Sequence, residues 1–245
     1  LSLRKWKHFY KVLGKLRWVR DEVAKTYIDK KNVVTELYRI AHRQFPWQSR
    51  ADFKFLFRYY KIFSNSTINE IVKKVLGISV RDLYYIGLAF FAIYSEKPVI
   101  LLPLQLDLEK LGINLDKVNR FLSFTSENIS TLKDKITEEQ EFDDRFEYTY
   151  NPMRAYPIIK MPFKGKDSLV CPMVTLLFWR ITSGLYYEIC NEKDFGDNFG
   201  HSFQKYIGNV IEKANNNKAI NFIKEEEYHV GRNRKDTVDW IVYDK

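Results

Sequence analysis

The residues best suited to chemistry lie in the last fifth of the chain. In Val238-Asp239-Trp240-Ile241-Val242-Tyr243, strand alternation puts Val238, Trp240 and Val242 on one face and Asp239, Ile241 and Tyr243 on the other. A carboxylate in so apolar a strand has two readings. Bonded to a neighbouring loop, or paired with Arg232 or Arg234, Asp239 is a satisfied edge residue. Held rigidly beside a second acid on the following strand, it is a Mg²⁺ ligand that can orient an attacking water. Other chemistries have weaker support. His8, His42, His201 and His229 are scattered, and none sits with Ser, Cys or acids at a catalytic spacing. Lys164-Gly165-Lys166 lacks the frame of a P-loop, and no GxGxxG follows a strand. Cys171 and Cys190 stand alone, without His at metal-ligand spacing, which excludes a zinc ribbon and a disulfide framework. A reducing cytoplasm is the expected compartment.

Positioning Asp239 requires the elements before it. Phe199, Phe203, Tyr206, Ile207, Val210 and Ile211 recur at helical spacing, so a long amphipathic helix is expected there. Asn215-Asn216-Asn217 ends it. Residues 219–230 and 237–243 read as two strands joined by the turn Gly231-Arg232-Asn233-Arg234-Lys235. Earlier short β runs, at 146–150, 156–160 and 168–171, are separated by Asn-Pro and Lys-Gly-Lys turns. Val174 to Ile189 reads as one helix.

From Leu3 to about Phe63 the pattern is helical, broken at Pro46 and resumed from Asp52. Ser66/Thr67 are expected to cap a helix ending at Gly77, and Ser79 to cap another, with Asp82 in its first turn. The segment Leu83 to Tyr94 is apolar nearly all round, as befits the centre of a helical domain. Leu111 to Val118 repeats the same stop-and-cap chemistry. The acidic run 138–147 marks an expected boundary, giving a helical domain at 1–145 and a smaller α/β domain at 146–245. The fold class is thus α+β, mainly helical.

Composition narrows the partners. Of 245 residues, 45% are hydrophobic, with 10 Gly and 7 Pro, enough for a real core and too few breakers for a disordered or collagenous chain. No apolar stretch approaches the roughly 18 residues of a membrane helix, so a soluble protein without membrane partners is expected. The net charge of +9 is uneven: residues 1–61 hold 16 Lys and Arg against 5 Asp and Glu, an excess of +11, while the rest is near neutral. Trp6, Phe9, Tyr10, Trp18, Tyr27, Trp47, Phe53, Tyr59 and Tyr60 are interleaved with this charge. Two readings stay open, a solvated helical face over an aromatic core, or a surface for a negatively charged partner.

Residues 199–243 also resemble a known family. Phe199-Gly200-His201-Ser202-Phe203-Gln204-Lys205-Tyr206-Ile207, followed by Glu227-Tyr228-His229-Val230-Gly231 and by Asp236-Thr237-Val238-Asp239-Trp240-Ile241-Val242, is similar to the front half of a PD-(D/E)XK nuclease core. In such nucleases a G-x-x-F-E-x-Y-V helix precedes a strand, a turn and a strand bearing the first catalytic Asp. The resemblance implies Asp239 as catalytic residue and Mg²⁺ ligand, and Gln204 in the helix position where many members carry Glu. Glu212 is a poor substitute there, since eight residues rotate it by about 80°. Glu225, Glu226 and Glu227 alternate across their strand, so only Glu225 and Glu227 share a side; they read as a solvated edge, with Glu227 a candidate second metal acid. Arg232, Arg234, Lys235 and Lys205 are implied phosphate contacts. The layout resembles bacterial nuclease-like proteins of phage defence.

The E-x-K pair of the family belongs on the next strand, and only Trp240 to Lys245 follow Asp239. An acid and a Lys are therefore expected about 10 to 20 residues beyond Lys245, the α/β domain being incomplete. With that strand, the expected function is Mg²⁺-dependent phosphodiester hydrolysis on DNA or RNA. Without it, the expectation is an inactive module whose helical domain docks a protein partner.

Overall fold

The computed structural model describes residues 6–26, 28–38, 41, 51–104, 109–140, 149–215 and 220–244. The fold is α+β and mainly helical. The chain divides into two compact units, Leu1–Arg50 with Glu139–Tyr150, and Ala51–Glu138 with Asn151–Lys245. Residues 141–148, where the acidic boundary was expected, lie outside the described residues. A single core nevertheless joins side chains from both sides of 145/146, from Phe63 to Phe195.

In the first unit, α1 (Trp6–Ala24) is followed by a helical stretch over 33–38. The carboxylate of Asp29 accepts the N–H groups of Lys31 and Asn32 at 2.7 and 3.0 Å before that stretch starts. Lys7, Lys11, Lys15, Arg17 and Arg20 are exposed along α1, but so are Phe9, Tyr10, Leu16 and Trp18. Glu36 is the sole buried residue among those whose burial is described in 7–38. Over these residues the aromatics do not form a core beneath the basic face.

The second unit is built on helices whose ends follow the sequence closely. Asp52 caps α2 (Phe53–Phe63), accepting from Lys54 N–H at 2.8 Å. The cap of α3 (Ser66–Leu76) is Asn65, one residue before the expected Ser66/Thr67; its side chain accepts from the N–H groups of Thr67 and Ile68. An Asn at this place satisfies two free donors that a Ser inside the first turn could not reach. Gly77 ends α3 with φ +71°. Ser79 caps α4 (Val80–Glu96) through Asp82 N–H at 3.1 Å, and Asn114 caps α5 (Leu115–Thr125) likewise. Asp82 of α4 pairs with Lys117 of α5 at 2.9 Å.

The centre of the unit is α4, as its all-round apolar surface predicts. Leu83, Ile86 and Phe90 are wholly buried, and Phe90 stacks on Phe121 with centroids 5.4 Å apart. A Cβ on Gly87 would come within 2.7 Å of Ile181 Cδ1, so α4 and α7 (Val174–Ile181) approach closely because Gly87 is bare. The expected helix 174–189 is two. It breaks at Thr182, with φ −107° and ψ −99°, before α8 (Ser183–Ile189).

Beside these helices, β1 (Val99–Leu101), β2 (Ser126–Asn128), β3 (Ile158–Phe163) and β4 (Lys166–Val170) form a sheet in the order β1-β4-β3-β2. Only β2 and β3 pair in parallel. The β3/β4 hairpin turns at Lys164 and Gly165, both with positive φ, the pattern of a tight two-residue turn. Between β2 and β3 come α6 (Ile129–Glu139) and a short 3₁₀ turn at Pro152–Arg154. The strand expected at 146–150 lies mostly outside the described residues, and Thr149 and Tyr150 are not in a strand. Burial pushes the Cys171 thiol up to about 12, and both cysteines are free.

The C-terminal part positions Asp239. Helix α9 (Phe195–Ala214) starts one turn earlier than expected, with Phe195 and Phe199 packed on Tyr186. The two expected strands are four: β5 (Ile220–Lys224), β6 (Glu227–Val230), β7 (Asn233–Asp236) and β8 (Trp240–Asp244). β5 pairs with β8 and β6 with β7, so one hairpin continues from the other across a joint at 225–226 and 237–239. Thr237 ties this joint: its hydroxyl accepts from Glu226 N–H at 2.8 Å and its N–H donates to Glu226 O at 3.0 Å. Among the described residues no single helix is long and apolar enough to cross a membrane.

Candidate functional site

Asp239 is not inside a strand. It occupies a bend one residue before β8, and it is exposed. The hairpin register explains what this does. Lys224 faces Trp240 as the last pair of β5 and β8, and one step further Glu225 N–H donates to Asp239 O at 3.0 Å. The two acids are thus cross-strand neighbours, separated in sequence by 14 positions. On a regular strand Asp239 and Trp240 would point to opposite faces. Because the chain bends at 239, both line one cavity of about 480 Å³ against α9.

The cavity is walled on the helix side by His201, Gln204, Lys205, Asn209 and Glu212, and on the hairpin side by Lys224, Glu225, Asp239 and Trp240. Gln204 donates its amide N–H to Glu225 Oε2 at 2.8 Å. Glu212 lies 3.5 Å from Lys224 Nζ, and the same ammonium sits 5.6 Å over the Trp240 ring. The hairpin seats on α9 through Trp240, which packs onto Gly208. A Cβ there would come within 2.6 Å of Trp240 Cη2, so only a bare helix surface admits the ring.

The residues singled out by sequence fall into two groups. Asp239, Gln204 and Lys205 meet in this cavity. Glu227, Arg232, Arg234 and Lys235 belong to the inner hairpin: Glu227 is ion-paired with Arg234 at 2.9 Å, Arg232 is in the turn beside Gly231, and Lys235 faces Tyr228. Alternation assigns Glu225 and Glu227 to one side, but the joint at 225–226 separates them. The acid brought beside Asp239 is Glu225, which reads from sequence as solvated edge. Arg234 is neutralised by Glu227, so it is the acid on β6, not Asp239, that it satisfies. Lys224, Asn209 and Trp240 also enter the cavity, though the sequence did not single them out as site residues. Asn209 was findable, standing four residues after Lys205 on one face of α9.

Two acids opposed across a ladder repel unless cations stand near them. Lys205 and Lys224 line the same cavity and supply part of that balance. Among the described residues no group of three His, Cys, Asp or Glu stands together as a metal-holding cluster. Mg²⁺ makes a lesser demand than such a cluster. It keeps several waters and is held by one or two carboxylates with phosphate oxygens. The Asp239 and Glu225 carboxylates are compatible with a site of that kind. No family model, curated protein or solved structure matches this chain.

Proposed function

We propose that this protein is a nucleic-acid-binding protein of nuclease type, in which Asp239 and Glu225 hold a Mg²⁺ ion beside a phosphate. One observation carries the reading: Asp239, Glu225, Gln204 and Lys205, from a bend, a strand end and a helix, converge on a single cavity. Bound there, Mg²⁺ would supply charge neutralisation and an activated water for phosphodiester hydrolysis. Gln204 holds Glu225 in place by its amide hydrogen bond. Lys205 offsets negative charge on the phosphate. Trp240 forms one wall of the cavity. One water is consumed per bond cut; its oxygen goes to phosphorus, one proton goes to the leaving oxygen and the other to solvent.

Where the E-x-K strand is supplied, the expected result is Mg²⁺-dependent cleavage of DNA or RNA, suppressed by EDTA. Asp239→Ala should lower the rate by at least about a hundredfold, the usual scale for losing a charged group at a reaction centre. Cleavage that survives the substitution unchanged would remove Asp239 from the site. A second reading, a non-catalytic module that docks a protein partner, is favoured by the first unit. There Tyr10 and Trp18 are each 64% exposed and Leu16 is 62% exposed. Absence of any cleavage by the protein, together with a partner that protects α1 from hydrogen exchange, would favour that reading.

A further inference from the structure

A second cavity, also about 480 Å³, runs along the other side of the Lys205 ridge, between α2 and α9. Its charge is of one sign. Lys61, Lys205 and Lys213 line it, no Asp or Glu does, and among the described residues none of the three ammonium groups has an ion-pair partner. Lys205, Asn209 and Lys213 stand at i, i+4 and i+8, one row about 12 Å long on α9, so the positive charge follows a line and is not a single spot. Lys205 and Asn209 line both cavities, which makes the basic groove the direct neighbour of the acidic one. Apart from Val210, the rest of the lining is polar or aromatic. Ser64, Asn65 and Ser202 offer hydrogen bonds, while Phe57, half exposed, and Tyr206 offer ring surface. Lys61 Nζ lies 5.4 Å from the Phe57 ring centroid, so charge and ring are presented together.

We propose that this groove binds the backbone of single-stranded nucleic acid, with phosphates on Lys61, Lys205 and Lys213 and a base against Phe57. The proposal rests on the nuclease-type reading above and names the form of its substrate. A line of unpaired cations with exposed aromatic surface is what a single strand uses, because phosphates and unstacked bases are then both accessible. A duplex hides its base faces, and its specific contacts cover a broad surface of about 1,000 Å² or more, well beyond a groove of this size.

The test is fluorescence anisotropy with a labelled single-stranded oligonucleotide in EDTA, where hydrolysis cannot occur. Three phosphate contacts imply an affinity that falls about twentyfold between 50 and 200 mM salt. Lys61→Glu with Lys213→Glu, both exposed positions, should weaken binding at least tenfold and flatten that dependence, while circular dichroism confirms the fold. Phe57→Ala should weaken it about fivefold or more. Unchanged affinity in these variants would overturn the groove, and equal affinity for duplex would overturn the single-strand assignment. Inorganic polyphosphate that competes fully, with Phe57→Ala indifferent, would make the groove a general polyanion site and refute the base contact. The two proposals fail separately. Binding through the groove without Mg²⁺-dependent cleavage refutes the hydrolysis, and cleavage with affinity untouched by the variants refutes the groove.

Discussion

Two parts of the second unit solve the same problem in opposite ways. Around α4, stability comes from side chains with no exposure at all, such as Phe63, Ile86, Phe121 and Ile181, drawn from helices far apart in sequence. The hairpins β5–β8 bury almost nothing: β6 is exposed along its whole length, and β8 presents half-exposed Val242 and Tyr243. A two-stranded ribbon is marginal in water unless it packs on something. Here that something is α9, where the Trp240 ring packs on Gly208 beside the Gln204–Glu225 hydrogen bond and the Glu212–Lys224 ion pair. The comparison teaches that the candidate site is hung on a weakly held element and backed by a strongly held one. Such placement is common for sites, because charged groups that must meet solvent cannot also be core.

The largest effect should come from the core. Phe90→Ala removes a wholly buried ring stacked on Phe121 and should reduce unfolding free energy by about 3–5 kcal/mol in urea titration. Val242→Ala, at 50% exposure on the hairpin, should change it by less than about 0.5 kcal/mol. Similar losses at the two places would erase the distinction. Next comes the seat of the hairpin. Gly208→Ala forces Trp240 off α9 and should speed hydrogen exchange of the β5 and β8 amides, with a local loss of about 1–3 kcal/mol and α4 protected as before. Faster exchange in α4 as well as in the hairpin would mean the two parts unfold together.

The smallest effect concerns acid, and it belongs to the β2 edge of the core. The Asn128 N–H, with Lys135 beside it, holds the Glu127 carboxyl below its ordinary value of 4.5. A carboxyl lowered on folding adds stability that is present above 4.5 and is lost as pH falls through the lower folded value. Wild type should therefore lose more stability than Glu127→Gln between about pH 5 and 3, as followed by thermal melts. Parallel pH profiles would show that Glu127 adds nothing.

Much of the fold was legible because it is written in local chemistry. Asp52, Ser79 and Asn114 are caps, Gly77 is a stop, and the periodicity of α4 and α9 survives in the structure. What failed was anything that depended on regular continuation. Thr182 breaks a helix whose apolar pattern runs on, and the joint at 225–226 and 237–239 divides strands whose composition is continuous. Glu227 was the acid singled out as a candidate metal ligand, whereas the bend brings Glu225 beside Asp239. The lysines of the α2/α9 groove come from positions 61, 205 and 213, and no spacing rule joins Lys61 to the other two.

By itself, then, the sequence determined the fold class, several of the helix limits and the identity of Asp239, Gln204 and Lys205 as residues worth following. These are properties of short range: hydrogen bonding within a turn, amphipathic period, a charge out of place in an apolar run. Only the tertiary structure decided that Glu225 stands beside Asp239, that Trp240 packs on Gly208, and that the basic and acidic cavities share the Lys205 ridge. Each of these follows from a contact between elements, whose partners are chosen by packing and by the bend at Asp239.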